Sequence, residues 1–402
     1  MNKVANWLGK ELTLNIEKVA HGGIFVARHE GRVIFVSHTL PGEKVRARVF
    51  EDKGGSFARA ETVEVLEASP HRVKHVWKAA ADGAVGGAEF GHIDLNYQLE
   101  LKGDVLEEAL SRMAGITMRP VVEQAPGDDL ANGLGYRTRV QLHVDELGNV
   151  GPYRERSHQV VEVRDLPLAV EDIRELGLHL KNWSGVRKIE IASSNTGNLQ
   201  YSVDKKVKGD ERLVERAGGR TFRITGGGFW QVHRKAPDIL TTAVNEAIAK
   251  AGFDKTADNL DLYGGVGLFA GTIAAKFGVD SVITTVEAFK TATEDAKLNL
   301  ADLPNVRAIL APTERFLDER VSSHVKNGSP ETTATVILDP PRAGAGAKVV
   351  GQVLALKPKH IVYVACDPVA LARDLKPLTE GGYELASLRA FDLFPHTHHV
   401  EA

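Results

Sequence analysis

The sequence predicts a multidomain α/β protein with three parts: an N-terminal OB-like β-barrel, an antiparallel α+β middle domain and a C-terminal doubly wound parallel sheet. Three observations carry this. Residues 11–66 alternate apolar and polar side chains with a period of two, broken by glycine turns, as short half-buried strands do. Residues 131–225 are again strand-rich. From residue 226 strand-like and helix-like stretches alternate, the pattern of a parallel sheet with helices on both faces. The expected domains are therefore 1–69, 70–225 and 226–402, and a chain of 402 residues suits two or three of them.

In the first part Leu12, Leu14 and Ile16 alternate with polar residues, and Val45, Ala47 and Val49 alternate with Arg46, Arg48 and Phe50. His21-Gly22-Gly23 and Leu40-Pro41-Gly42 read as the turns between strands. Several short strands in so little chain suggest a small closed barrel, for which nucleic acid is a usual ligand. Lys44, Arg46 and Arg48, with Lys53 and Arg59, would form its basic face; a plain solvated strand face explains them equally well. Residues 1–74 hold 12 Lys+Arg against 9 Asp+Glu, a net of +3 that leaves −6 for the rest of a chain of net charge −3. The chain as a whole is thus not a basic nucleic-acid binder, and the local excess is small.

Residues 79–88, Ala-Ala-Ala-Asp-Gly-Ala-Val-Gly-Gly-Ala, have no period and read as a loop. Leu95 to Met113 reads as an amphipathic helix that packs on the C-terminal domain, with Leu99, Leu106 and Leu110 near one face. In the middle domain, strands are expected at 137–144, 150–153, 160–163, 189–193 and 200–203, with a helix over 171–183.

The third part opens with a helix over 235–251. Strands then end at Asp261-Leu262-Tyr263, at Glu287, at Asp339 and at Cys366, and a last strand is expected over 383–391. Open α/β sheets bind ligands at the carboxyl ends of their strands. The glycines of Tyr263-Gly264-Gly265-Val266-Gly267 permit close approach to the backbone, and Glu287 suits a ribose diol. This pairing fits S-adenosylmethionine or a dinucleotide. No GK[ST] phosphate loop is present, which argues against a nucleoside triphosphate.

Cys366 is the only cysteine, which excludes a disulfide framework and a multi-cysteine metal site and suits a reducing cytoplasm. It follows an apolar run, Ile361 to Val364, and precedes Asp367-Pro368, a helix-start pair. A thiol at a helix N-terminus is expected to favour the thiolate, although a lone cysteine is more often a small buried hydrophobe. His396, His398 and His399 lie close together, but without a second cluster no metal is expected. No signal peptide and no membrane span is legible.

Taken together these residues resemble the RNA uracil-5-methyltransferase family, over nearly the whole chain. His21-Gly22-Gly23 through Leu40-Pro41-Gly42-Glu43 is similar to the TRAM domain, an OB-like RNA-binding barrel. Phe229-Trp230-Gln231-Val232, Asp261-Leu262-Tyr263 with Gly265 and Gly267, and Leu338-Asp339-Pro340-Pro341-Arg342 resemble family segments. So do Tyr363-Val364-Ala365-Cys366-Asp367-Pro368 and Phe394-Pro395-His396-Thr397-His398-His399-Val400-Glu401.

The resemblance implies a C-terminal Rossmann-like methyltransferase domain that uses S-adenosylmethionine to methylate carbon 5 of a uridine in rRNA or tRNA. Cys366 would be the nucleophile and Glu401 the general base. Gln231, Tyr263, Glu287 and Asp339 would bind the cofactor. The implied protein is a cytoplasmic monomer with RNA as its partner. Many members hold an iron–sulfur cluster through C-G-G-C and two further cysteines; here Val85-Gly86-Gly87-Ala88 and Leu166 stand in those places, so no cluster is expected. Leu268 stands where the family often has Asn, and Thr313 where an adenine contact is usual. Such departures leave a second reading, a non-catalytic RNA-binding protein with a degenerate methyltransferase domain. A third, an exocyclic-amine methyltransferase, is opposed by Arg342 after Asp-Pro-Pro and by Cys366.

Overall fold

The computed structural model describes residues 6–81, 84–154, 157–327 and 333–402. Asp82 and Gly83 of the expected loop lie outside the described residues. Strands β1 (Glu11–Ala20), β2 (Ile24–His29), β3 (Arg32–Ser37), β4 (Lys44–Glu51) and β5 (Phe57–Glu67) close into a barrel in the order β1-β2-β3-β5-β4. The alternation explains the closure. Leu12, Leu14 and Ile16, with Phe25, Ile34 and Val45, point inward and fill the core, while closure removes the free sheet edges. Asp52 is buried beneath this layer and accepts from Arg32 Nη2 at 2.6 Å, so burial leaves no unpaired charge.

Helix α1 (Leu95–Ala109) starts where Asp94 accepts hydrogen bonds from the backbone of Asn96 and Tyr97, an N-cap. A π-helical turn, 110–114, extends it to Gly115, whose φ of 69° ends it. Its faces serve two cores. Leu101 enters the barrel cluster, while Leu106, Ala109 and Leu110 pack with Leu371, Ala372 and Leu375 of the C-terminal domain. The helix is thus the spine between barrel and parallel sheet. Between them Lys102 and Asp392 pair at 2.6 Å with both side chains fully buried.

After α1, the short strand β6 (Val122–Gln124) leads into the middle domain. There β7 (Arg139–Val144), β8 (Val150–Gly151), helix α2 (Glu171–Glu175), β9 (Lys188–Ser193), β10 (Leu199–Val203) and β11 (Lys206–Gly209) form a sheet of order β11-β10-β9-β7-β8. The helix is shorter than the expected 171–183 because Gly177 takes φ 62° and breaks it. Residues 160–163 make only an isolated bridge, between Val160 and Tyr153. Val85, Ala88 and Leu166 sit in the apolar core of this domain with Trp77, Leu142 and Ile189. The places of the relatives' cluster cysteines are therefore packed hydrocarbon, and these side chains do not fit an iron–sulfur cluster.

The hairpin β12 (Arg212–Ala217) and β13 (Arg220–Thr225) packs on the C-terminal domain, although the expected boundary at 225 places it before that domain. Phe222 and Ile224 join Trp230, Val266 and Leu268 in one cluster. The Asn299 side chain bridges the Arg223 backbone and the Val266 carbonyl.

The C-terminal domain runs α3 (Ala236–Ala251), β14 (Asn259–Leu262), α4 (Leu268–Phe277), β15 (Ile283–Glu287), α5 (Lys290–Asn299), β16 (Val306–Leu310), α6 (Thr313–Asn327), β17 (Thr335–Leu338), α7 (Gly346–Leu356), β18 (His360–Tyr363) and α8 (Pro368–Glu380). The strands are parallel in the order β16-β15-β14-β17-β18. The order reverses between β14 and β17, which opens a crevice at their carboxyl ends. The last strand expected, 383–391, does not form. Instead β19 (Ala390–Asp392) pairs with β6 outside the parallel sheet. The segment ending at Ala402 then folds back: Glu401 and Phe391 exchange two backbone hydrogen bonds, as do Ala402 and Ala365.

Candidate active site

A cleft of about 1590 Å³ lies at the carboxyl ends of the parallel strands and against the middle domain. Gln231, Tyr263, Glu287, Asp339, Cys366 and Glu401, each singled out from the sequence, all line it. The fold gathers them from six separate places, Gln231 from the link between β13 and α3. Tyr263 and Glu287 close adjacent strands, Asp339 follows β17, Cys366 follows β18, and Glu401 comes from the returning segment. Glu401 is fixed by the paired backbone on both sides of it, so its position does not depend on a loose end.

The glycine loop is shaped for close approach. Tyr263 takes φ 64° and Gly265 φ 55°. A Cβ at Gly264 would lie 1.8 Å from Thr285 Oγ1, whereas one at Gly265 would meet no atom within 4 Å and would project into open space. Glu287 accepts from Gly265 N at 3.0 Å through one oxygen and from Phe289 N at 2.7 Å through the other. Each oxygen keeps a lone pair, as a ribose diol requires. Asp261 lies beneath this loop, accepting from Thr285 Oγ1 and Ala270 N. Burial raises its carboxyl to about 6. These donors and acceptors fit a nucleoside cofactor such as S-adenosylmethionine. Leu268 is buried among Phe222, Trp230 and Val266 at the cleft wall. Thr313 meets the Tyr263 hydroxyl.

Around Cys366 the electrostatics are the reverse of the expectation from its helix terminus. Burial, then Glu401 and Asp339, push the thiol up to about 12, and only the Arg342 guanidinium works against them. The N-terminus of α8 is already satisfied by Asp367, whose Oδ1 accepts from Ala370 N at 2.8 Å, so its positive end is not left for the thiol. Burial and Asp339 likewise raise Glu401 to about 8. Burial and Asp261 raise Asp339 to about 7. Glu401 Oε2 is buried without a hydrogen-bond partner. The site therefore holds a thiol and two acids in their protonated or half-protonated forms, a charge-poor pocket that an uncharged heterocycle can enter.

The three clustered histidines diverge. His396 bonds Gln98 and the Asn132 carbonyl, His398 faces Glu89, and His399 lines the cleft. Among the described residues no three His, Cys, Asp or Glu side chains are placed to hold a metal ion. On the barrel, Lys44, Arg46 and Arg48 do share one exposed strand face. Each is already paired: Lys44 with Glu67 at 3.0 Å, Arg46 with Glu64 at 2.6 Å, and Arg48 with Glu11 at 2.9 Å. The small net charge had given a hint of this, but the partners come from β1 and β5 and are set by register.

Sequence reasoning missed several residues at the site. Phe289 lines the cleft although it is 76% exposed. Asp374 is buried in α8 and accepts from the Tyr363 hydroxyl and from the backbone of Ala345 and Gly346, which anchors the loop carrying Arg342. Nothing in a mid-helix aspartate signals that role.

Known proteins share these features. Residues 221–402 match the family described as tRNA (uracil-5-)-methyltransferase, and residues 7–63 match the TRAM domain. The chain is 41% identical to an RNA methyltransferase of Streptomyces avermitilis, covering 98% of this chain and 97% of that one. It is 36% identical to one of Bifidobacterium longum, covering 96% and 94%. The crystal structure of Pyrococcus abyssi tRNA (uracil-54, C5)-methyltransferase with S-adenosyl-L-homocysteine has the same fold, with a TM-score of 0.72, 23% identity and coverage of 96% of this chain and 98% of that one. With relatives of this identity matched end to end, the chain belongs to the uracil-5-methyltransferase family of RNA-modifying enzymes.

Proposed function

We propose that this protein transfers a methyl group from S-adenosylmethionine to carbon 5 of a uridine in structured RNA, through a covalent bond between Cys366 and carbon 6 of the base. One observation carries the reading: a single cleft brings Cys366 and Glu401 together with the Gly265–Glu287 cofactor edge.

Carbon 5 of uracil is too weak a nucleophile to take a methyl group unaided. Cys366 first gives up its proton to solvent; addition of the thiolate to carbon 6 then turns the ring into an enolate and makes carbon 5 nucleophilic. The cofactor, when bound, supplies an electrophilic methyl group on a sulfonium. Gln231, Tyr263, Glu287 and Asp339 hold it beside the base. Glu401 then takes the carbon 5 proton, the ring double bond re-forms, and the Cys366–carbon 6 bond breaks to return the thiolate. In its ionised form Glu401, raised to about 8, is a stronger base than an ordinary glutamate. The base must leave its stack to reach Cys366. Lys44, Arg46 and Arg48 contribute by exchanging their carboxylate partners for RNA phosphates.

The reading predicts 5-methyluridine when the full chain is incubated with S-adenosylmethionine and RNA from cells that lack it. Nucleoside mass spectrometry reads this out, and comparing rRNA with tRNA fractions identifies the substrate. Cofactor binding without methylation of any RNA would instead favour the non-catalytic RNA-binding protein.

A further inference from the structure

The His21-Gly22-Gly23 turn joins β1 to β2, and it does more than reverse the chain. There the barrel meets residues that neighbour Cys366 and Glu401 in sequence. His21 Nε2 lies 3.3 Å from Asp367 Oδ2. Asp367 follows Cys366 directly and caps α8 with its other oxygen. Two residues along the turn, Gly23 is pressed against His398: a Cβ there would lie 3.0 Å from the His398 Cβ, on a backbone of φ 73°. The turn therefore meets both halves of the site, the strand end with Cys366 and the segment that carries Glu401.

The charges around the thiol show why that contact matters. Three acidic side chains act on Cys366: Glu401 from the returning segment, Asp339 from the end of β17 and Asp367 from the cap of α8. Arg342 is the cation that opposes them. Asp367 is the acid next to the thiol in sequence and the one that His21 contacts, so the turn acts on the neighbour of Cys366 without touching the thiol.

We propose that His21 is a positioning residue for the Cys366 nucleophile, delivered by the barrel, which holds Asp367 as the α8 cap and ties up its second oxygen beside the thiol. The inference rests on Cys366 being the nucleophile. It makes the barrel part of the catalytic apparatus as well as a holder for RNA. The alternative is an ordinary inter-domain ion pair, since the His21 side chain is 44% exposed.

Alkylation of Cys366 by iodoacetamide, followed by mass spectrometry on the full-length protein, separates the two and needs neither RNA nor cofactor. With His21→Gln the rate should fall about threefold, the scale of an ion pair of this exposure. His21→Lys should restore the rate. In an Asp367→Asn background, His21→Gln should have no further effect. An unchanged rate in His21→Gln, or an undiminished effect in the Asp367→Asn background, overturns the proposal. Absence of 5-methyluridine with wild type would sink the proposed function while leaving this result readable.

Discussion

At the scale of single residues, the site is governed by what burial does to acids and a thiol. Cys366 rests as a thiol because desolvation outweighs the helix end. Its alkylation rate should therefore rise about tenfold per pH unit from pH 7 to 9 without a plateau, since only the thiolate reacts; a plateau below pH 9 would show an activated thiolate instead. Asp339 and Glu401 have folded values of about 7 and about 8, above those of an unfolded chain. Such groups bind more protons folded than unfolded. Their stability contribution is complete below about pH 4 and is lost as pH rises through those folded values. Asp339→Asn should thus be more stable than wild type at pH 8 by about 1–3 kcal/mol in denaturant melts of the free protein, and the gap should shrink towards pH 5. Glu401→Gln keeps the shape but removes the base. Cys366 should still add to uridine, and a methylated RNA–protein adduct should accumulate that wild type releases.

Among the elements, α1 carries the largest single burden. Lys102 is buried against Asp392 and also donates to the Phe394 carbonyl, while Gln98 holds His396. Both side chains brace the segment that leads to Glu401. Lys102→Met leaves a buried carboxylate unpaired and should cost about 3–5 kcal/mol of stability by chemical denaturation. Adding Asp392→Leu should recover most of it; no recovery would mean that the Phe394 contact, not the ion pair, is what the lysine supplies. Here the limits of sequence reading are physical. The helix itself was legible, because Leu99, Leu106 and Leu110 repeat on one face. That one face serves the barrel and another the parallel sheet was not, because periodicity reports that a face is buried and not what covers it. The same limit explains β19. The apolar stretch to Phe391 reads as a strand, but its partner is β6, more than two hundred residues away in the chain.

For the whole molecule, the three-part architecture and Tyr263, Glu287, Asp339 and Cys366 were readable because strand ends collect ligands in any doubly wound sheet, whereas Gln231 and Glu401 lie off those ends and came only from the family resemblance. Charge was the part that misled. A basic stripe on one strand is matched by acids on its neighbours, and the thiol at a helix start is surrounded by carboxylates that lie distant in sequence. The barrel surface can be tested directly. Replacing Lys44, Arg46 and Arg48 together by Ala should weaken RNA binding across sequences and lower the slope of log affinity against log salt by about 2, as lost phosphate contacts do. An unchanged slope would place the RNA on another face of the barrel.

The measurement that bears most directly on the central claim is capture of the chain on RNA in which 5-fluorouridine replaces uridine. Fluorine at carbon 5 cannot leave as a proton, so the adduct that Glu401 would resolve persists. With S-adenosylmethionine present, the account predicts a denaturation-resistant complex whose peptide mass places the nucleotide on Cys366, and no complex with Cys366→Ala. No adduct with wild type on an RNA it methylates, or an adduct that survives Cys366→Ala, would contradict it.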